Sequence, residues 1–321
     1  MLNFVSRRNH PVEAEASRRV RLAAGPVVLA LFTAGWADCV VAHPGHESLP
    51  AIDWAGEAPQ VSITVEAGVR LIRANGIPDH ATGQFPGRGN PNRISPQRHE
   101  FRVPLLPAAA NAPTPLGMSP FGVALNGVVL DPGAAEWWQD DRASGWQYEA
   151  LGGGRNLGLD REHGHVQPTG AYHYHGLPAT LLEKLSGGQP RMVLLGWAAD
   201  GFPIYGPWIP ADPAKPAADF KRATSSYRLK SGQRDGGPGG AHDGTYVRDW
   251  EFVAGAGDLD ACNGRTGPTP EFPGGTYHYI LTDAFPFIPR FWHGTPDPSF
   301  IRRGPPPGGP GGKKGKRPKQ D

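Results

Sequence analysis

Residues 163–178 read H-G-H-V-Q-P-T-G-A-Y-H-Y-H-G-L-P, and the run Tyr172-His173-Tyr174-His175 within them decides the fold class. Side chains alternate faces along a strand, so strict alternation sends both imidazoles to one side and both phenols to the other. Tyr favours strands, and Gly176 with Pro178 ends the run, which predicts a short β-strand. A helix would splay positions i and i+2 apart. Two imidazoles on one face suit a single copper, zinc or iron ion. The alternative is a pair of histidines satisfied on an ordinary sheet face. His163 and His165 repeat the spacing upstream, on what reads as a neighbouring loop.

Outward from this stretch there is an echo. G-A-Y-H-Y-H at 170–175 recurs as G-T-Y-H-Y-I at 275–280, and D-G-F-P-I at 200–204 is similar to D-A-F-P-F at 283–287. The echo predicts two similar strands side by side in one sheet, with His278 near His173. The candidate metal ligands are therefore His173, His175 and His278, with His80, His163 and His165 as further donors. His80 follows a turn and reads equally as ligand, general base or loop hydrogen-bonding group. His99, His242 and His293 read as ordinary. Asp200 either orients a histidine or closes an Asx turn, and the turn is favoured. No acid/base pair, nucleophile elbow or zinc-protease helix is visible, and Gly152-Gly153-Gly154 lacks the Lys-Ser/Thr of a phosphate loop. Catalytic residues stay unassigned.

Gly 45 and Pro 36 make about a quarter of the 321 residues, a level that favours irregular structure, while 38% apolar residues and nine tryptophans allow a core. The expectation is a mainly β, loop-rich single domain with few short helices. Strands are expected at 61–72 (one or two), 100–106, 191–198 and 245–253, with a hairpin over 121–130 turning at Asn126-Gly127. Helices are expected at 134–138 and 179–185. Residues 113–120 read as a linker-like crossing and 232–244 as a flexible loop. A net charge of +2 and the lack of any binding signature give no reason to expect nucleic acid as a partner.

The termini differ from the middle. Arg18, Arg19 and Arg21 precede an apolar run over 22–33, too short for a membrane span, so residues 1–42 read as a signal peptide. S-R-R-V-R-L at 17–22 approaches the twin-arginine pattern, with Arg21 where an apolar residue is usual; an ordinary signal or an over-long start is the alternative. Cleavage after Ala42 leaves His43 first, able with His46 to chelate copper, whereas cleavage after Ala37 leaves Asp38. The protein is expected in the periplasm or outside the cell, with no stable membrane anchor after processing. Cleavage after Ala42 removes Cys39 and leaves Cys262 as a lone thiol, either a buried small residue or a soft metal ligand. Residues 303–321 are Pro, Gly and Lys-rich and read as a disordered tail.

A set of motifs carries a family resemblance: N-G-I-P-D-H at 75–80, A-L-N-G-V at 124–128, the approach over 148–159, G-A-Y-H-Y-H-G at 170–176, D-G-F-P-I-Y-G at 200–206, C-N-G-R at 262–265 and G-T-Y-H-Y at 275–279. Over about residues 60–295 the chain resembles the YHYH-domain proteins, largely exported bacterial proteins named for this tetrapeptide. The resemblance implies a YHYH-type β-rich domain within 43–302 and no established reaction. It also marks two departures: Ile280 stands where many relatives complete a second His-Tyr-His, and a cysteine common near 291–292 is missing. Three functions are open. One is an exported metal-binding protein, copper favoured and zinc allowed, handling or sensing the ion. Another is a metal-dependent hydrolytic or oxidative enzyme. The third is a surface interaction module with structural histidines.

Overall fold

The hairpin predicted around Asn126-Gly127 forms, as strands β1 (Gly122–Ala124) and β2 (Val129–Leu130). The computed structural model describes residues 51–52, 56–212 and 219–302. The signal segment, His43, His46, Cys39 and the 303–321 tail lie outside the described residues. Six further strands join the hairpin: β3 (Gly164–Val166), β4 (Tyr172–Tyr174), β5 (Leu194–Ala198), β6 (Pro203–Tyr205), β7 (Gly264–Gly267) and β8 (Thr276–Ile280). They make one eight-stranded sheet in the order β3-β4-β2-β1-β5-β6-β8-β7. The fold is β-rich with a single α-helix, α1 (Ala179–Ser186), among the described residues, in accord with the class read from the sequence.

The order reads the same from the centre outwards on both sides. Each half is an antiparallel hairpin (β1-β2, β5-β6) whose second strand pairs in parallel with β4 or β8, which in turn pairs antiparallel with β3 or β7. The halves meet along β1 and β5, which pair Gly122 with Ala198, Val123 with Trp197 and Ala124 with Gly196. Counting either strand forward gives the same set of pairs, so a local twofold axis passes between Val123 and Trp197. Glycine at 122 and 196 is a matter of space. A Cβ at Gly122 would lie 2.4 Å from the Trp197 carbonyl oxygen, and one at Gly196 would lie 2.3 Å from that of Val123. Phe121, Val128, Leu130, Leu195, Ile204 and Leu281 are fully buried around this seam. Each contributes about 1.5–3 kcal/mol by burial.

This arrangement corrects the reading of the echo. β4 and β8 do lie in one sheet but not side by side; β2, β1, β5 and β6 stand between them. Five strand spacings amount to roughly 24 Å along the sheet. Each copy pairs in parallel with the second strand of the hairpin that precedes it in its own half. The second echo also shifts: Asp200–Ile204 is the counterpart of Asn126–Leu130, not of 283–287. Gly127 donates to the Ala124 carbonyl (2.9 Å) as Gly201 does to that of Ala198 (3.0 Å). Both glycines take left-handed backbone, with φ of +81° and +97°.

Elsewhere the local readings divide. Residues 61–72 become two strands, Val61–Glu66 and Val69–Ala74, completed by His99–Pro104 into a small antiparallel sheet. The helix expected at 134–138 is instead a strand, Gly133–Trp137, paired with Gln147–Glu149; a partner strand overrides weak local helix preference. The linker-like 113–120 begins inside a strand, Ala109–Pro115, that pairs with Phe291–Gly294. The strand expected over 245–253 is reduced to Trp250–Phe252. Buried Asp249 accepts the backbone N–H of Gly244 and of Tyr246 (both 3.1 Å) and folds the preceding turn into a 3-10 helix.

Candidate metal centre

Strand alternation at β4 does what the sequence required of it. His173 and His175 leave on one face, Tyr172 and Tyr174 on the other, and all four are buried. β3 pairs antiparallel with β4 and sets His165 directly opposite His173. His165 thus lies on a strand rather than a loop. Its Nε2 stands 3.0 Å from Nε2 of His175, which is itself 3.0 Å from Nε2 of His173. These three form the one group of His, Cys, Asp or Glu among the described residues whose ligand atoms all lie within 4.8 Å.

The outer nitrogens fix the protons. His165 Nδ1 donates to the Leu157 carbonyl (2.8 Å) and His173 Nδ1 to that of Ala171 (3.3 Å). A carbonyl oxygen only accepts, so each Nδ1 carries the proton and each Nε2 presents a lone pair to His175. A neutral His175 can donate to one of the two at most. Its own Nδ1 is buried beside the Pro132 carbonyl without a hydrogen bond of good geometry. A cation among the three Nε2 atoms would relieve this crowding. Two nitrogens at about 2.0–2.1 Å from a tetrahedral zinc lie roughly 3.3 Å apart, so the donor set fits such an ion with small adjustment. Burial holds all three imidazoles below the usual histidine range, with the neighbouring histidines adding to the effect on His173 and His175. The ligating, neutral form is therefore the resting one.

Two ion pairs, each with a buried carboxylate, flank the histidines. Arg290 bridges Glu149 and the Pro132 carbonyl, and Arg302 bonds Asp131 (2.6 Å). Behind the strands, Asp160 locks β3 to β4. It accepts the N–H of Gly83, Glu162 and Gly164 (3.0, 2.9 and 3.0 Å) and the hydroxyl of Tyr172 (2.7 Å). Asp160 escaped the sequence reading. The signal that could have found it is L-D-x-x-x-G, present at 159–164 and again at 259–264.

Three proposed donors lie elsewhere. His278 belongs to the far half of the sheet. His80 meets β4 on its opposite face, where its Nε2 lies 2.6 Å from the Tyr174 hydroxyl; period-two alternation keeps it from the imidazole side. His163 precedes β3 with φ of +56°, and its Nδ1 donates to the Leu177 carbonyl (3.0 Å), which turns it from the group. Asp200 takes the Asx-turn role, with Oδ1 3.4 Å from the Phe202 N–H, and its other oxygen receives Tyr279 and the Gly294 N–H. Cys262 is a buried core residue whose thiol is pushed up to about 12, chiefly by burial.

No curated protein and no solved structure matches the chain. The family model described as YHYH protein matches residues 100–294, a span that holds the whole eight-stranded sheet and all three clustered histidines. The chain belongs to the YHYH protein family.

Proposed function

We propose that this is an exported metal-binding protein that holds one transition-metal ion at His165, His173 and His175. The observation that carries the reading is the convergence of three Nε2 atoms, with the Nδ1 protons of His165 and His173 already committed to carbonyls. Three neutral imidazoles suit copper and zinc, and the general affinity order places copper ahead. Holding or sensing the ion is favoured over turnover. His173 and His175 are almost sealed from solvent. The alternative, a metal-dependent enzyme, draws on one fact: three donors are one short of the four zinc takes, and half-buried His165 offers the side from which a small ligand could complete them.

The basic-then-apolar lead supports export, with residues 43–302 as the mature domain, and among the described residues no helix is long and apolar enough to cross a membrane. The deciding experiment is metal analysis of untagged protein purified from its native compartment, followed by Cu(II) and Zn(II) titration of the stripped chain. One tightly held equivalent is expected. A chain that arrives metal-free and binds neither ion makes the histidines structural.

A further inference from the structure

The two halves of the sheet match well beyond their strand order. Asp260 repeats Asp160: it accepts the N–H of Cys262 and Gly264 (both 2.9 Å) and the hydroxyl of Tyr277 (3.0 Å), as Asp160 does from Glu162, Gly164 and Tyr172. Asn263 takes φ of +54° where His163 takes +56°. The N–H of Ile280 donates to the Asn263 carbonyl (3.0 Å) as that of His175 does to His163 (2.8 Å). His278 Nδ1 bonds the Thr276 carbonyl (3.1 Å) as His173 bonds Ala171. Arg265 lies opposite His278 where His165 lies opposite His173.

We infer that the domain is a fused pair of equivalent halves, and that the second half carries a closed copy of the metal site. In that copy one histidine, His278, persists, while Arg265 and Ile280 replace its two partners. Tyr205, in the register position of Asp131, lays its ring edge-on 5.5 Å from that of His278 and fills the space beside it. Ile280 joins Met192, Ile209 and Leu259 in a small apolar cluster. The scaffold that holds an imidazole group is thus present twice, and two substitutions reopen the second copy to the same class of ligand, a divalent cation that favours imidazole. This rests on the metal reading of the first half.

The test is Zn(II) stoichiometry of the full chain by calorimetry and elemental analysis. Wild type is expected to take one equivalent. Arg265→His/Ile280→His is expected to take two, the second more weakly because Tyr205 crowds it. One equivalent in each, with the variant folded by circular dichroism, overturns this inference and leaves the first site standing. No uptake by wild type overturns the metal reading and this inference with it. Should the variant unfold, the reciprocal His165→Arg/His175→Ile decides. It is expected to fold, melt no lower than metal-free wild type and take up no Zn(II). Failure of that chain to fold shows that the halves are not equivalent.

Discussion

In the first half of the sheet positions 165, 173 and 175 are histidine; in the second the matching positions hold arginine, histidine and isoleucine. The backbone around them is bonded alike. The difference separates what the fold needs from what it does not. Both halves keep the aspartate that ties strand to strand and the tyrosine that reaches it, so these are structural. The strand pair forms without the histidines at 165 and 175, as the second half demonstrates. Three neutral imidazoles crowded at their Nε2 atoms, with His175 Nδ1 buried and without a hydrogen-bond partner, cost stability that an Ile at 175 would not. Retaining them calls for a return, and binding an ion is the return their geometry suits.

The sharpest way to break the comparison is to remove a donor from each side. His175→Ala is expected to weaken metal binding by more than the 10–100-fold typical of losing a supporting residue, with the fold kept by the tyrosines on the other face. His278→Gln and His242→Ala should leave the titration unchanged. Equal binding by all three variants in calorimetry would move the site away from β4.

Next in size is the shared aspartate. Asp160→Ala and Asp260→Ala each orphan buried N–H groups and a tyrosine hydroxyl, at about 3 kcal/mol apiece. Only Asp160→Ala should also lower metal affinity, by about 10-fold or more, because it frees the strand that carries His165. Urea unfolding measures the first effect and a metal titration the second. Equal metal affinity in the two variants would mean that the bracket does not position His165.

Acid provides a third contrast. Burial lowers His278 to about 4, while an unfolded histidine titrates near 6.5. The unfolded chain therefore binds the extra proton first, so stability is full above about pH 6.5 and falls as pH drops towards 4. His278 accounts for roughly 2 kcal/mol of that loss by pH 5. The histidines of the first half are lowered in the same direction, and bound metal should protect them until protons displace it. A His278→Gln melt as steep in acid as wild type would refute the assignment.

The His-x-His strand was legible because period two is the strongest sequence signal a short strand has. His165 was legible as a candidate, together with His163, because the pair repeats the His-x-His spacing upstream; the register of β3 against β4 selects His165. His278 was misplaced for a physical reason: repeated motifs report similar strands, and adjacency depends on which hairpin each strand joins. The true counterpart of Asp200-Gly201 was Asn126-Gly127, one turn made twice with different side chains. Asp160 does not stand out as a single residue among thirty acids; the repeated L-D-x-x-x-G marks its position, and its bonds to four donors give its role.

The smallest expected effect concerns the domain boundary expected at residue 302. Arg302 is tied to the first half of the sheet. It bonds buried Asp131 and the Met118 carbonyl (2.6 and 2.9 Å), beside the first-half histidines. Residues 303–321 offer no large apolar side chains for burial. Truncation after Arg302 should therefore leave the melting temperature unchanged within about 1 °C. Truncation after Ile301 should cost about 1 kcal/mol, because a buried carboxylate loses a half-exposed partner. The cost should fall on the first half, as a shift in the pH dependence of any metal uptake when Asp131 loses this partner. If the longer chain already melts several degrees low, residues beyond 302 are docked and the domain boundary lies further on. If neither cut matters, Asp131 is held by Gln167 and the Gly133 N–H alone, and Arg302 is no part of the first half.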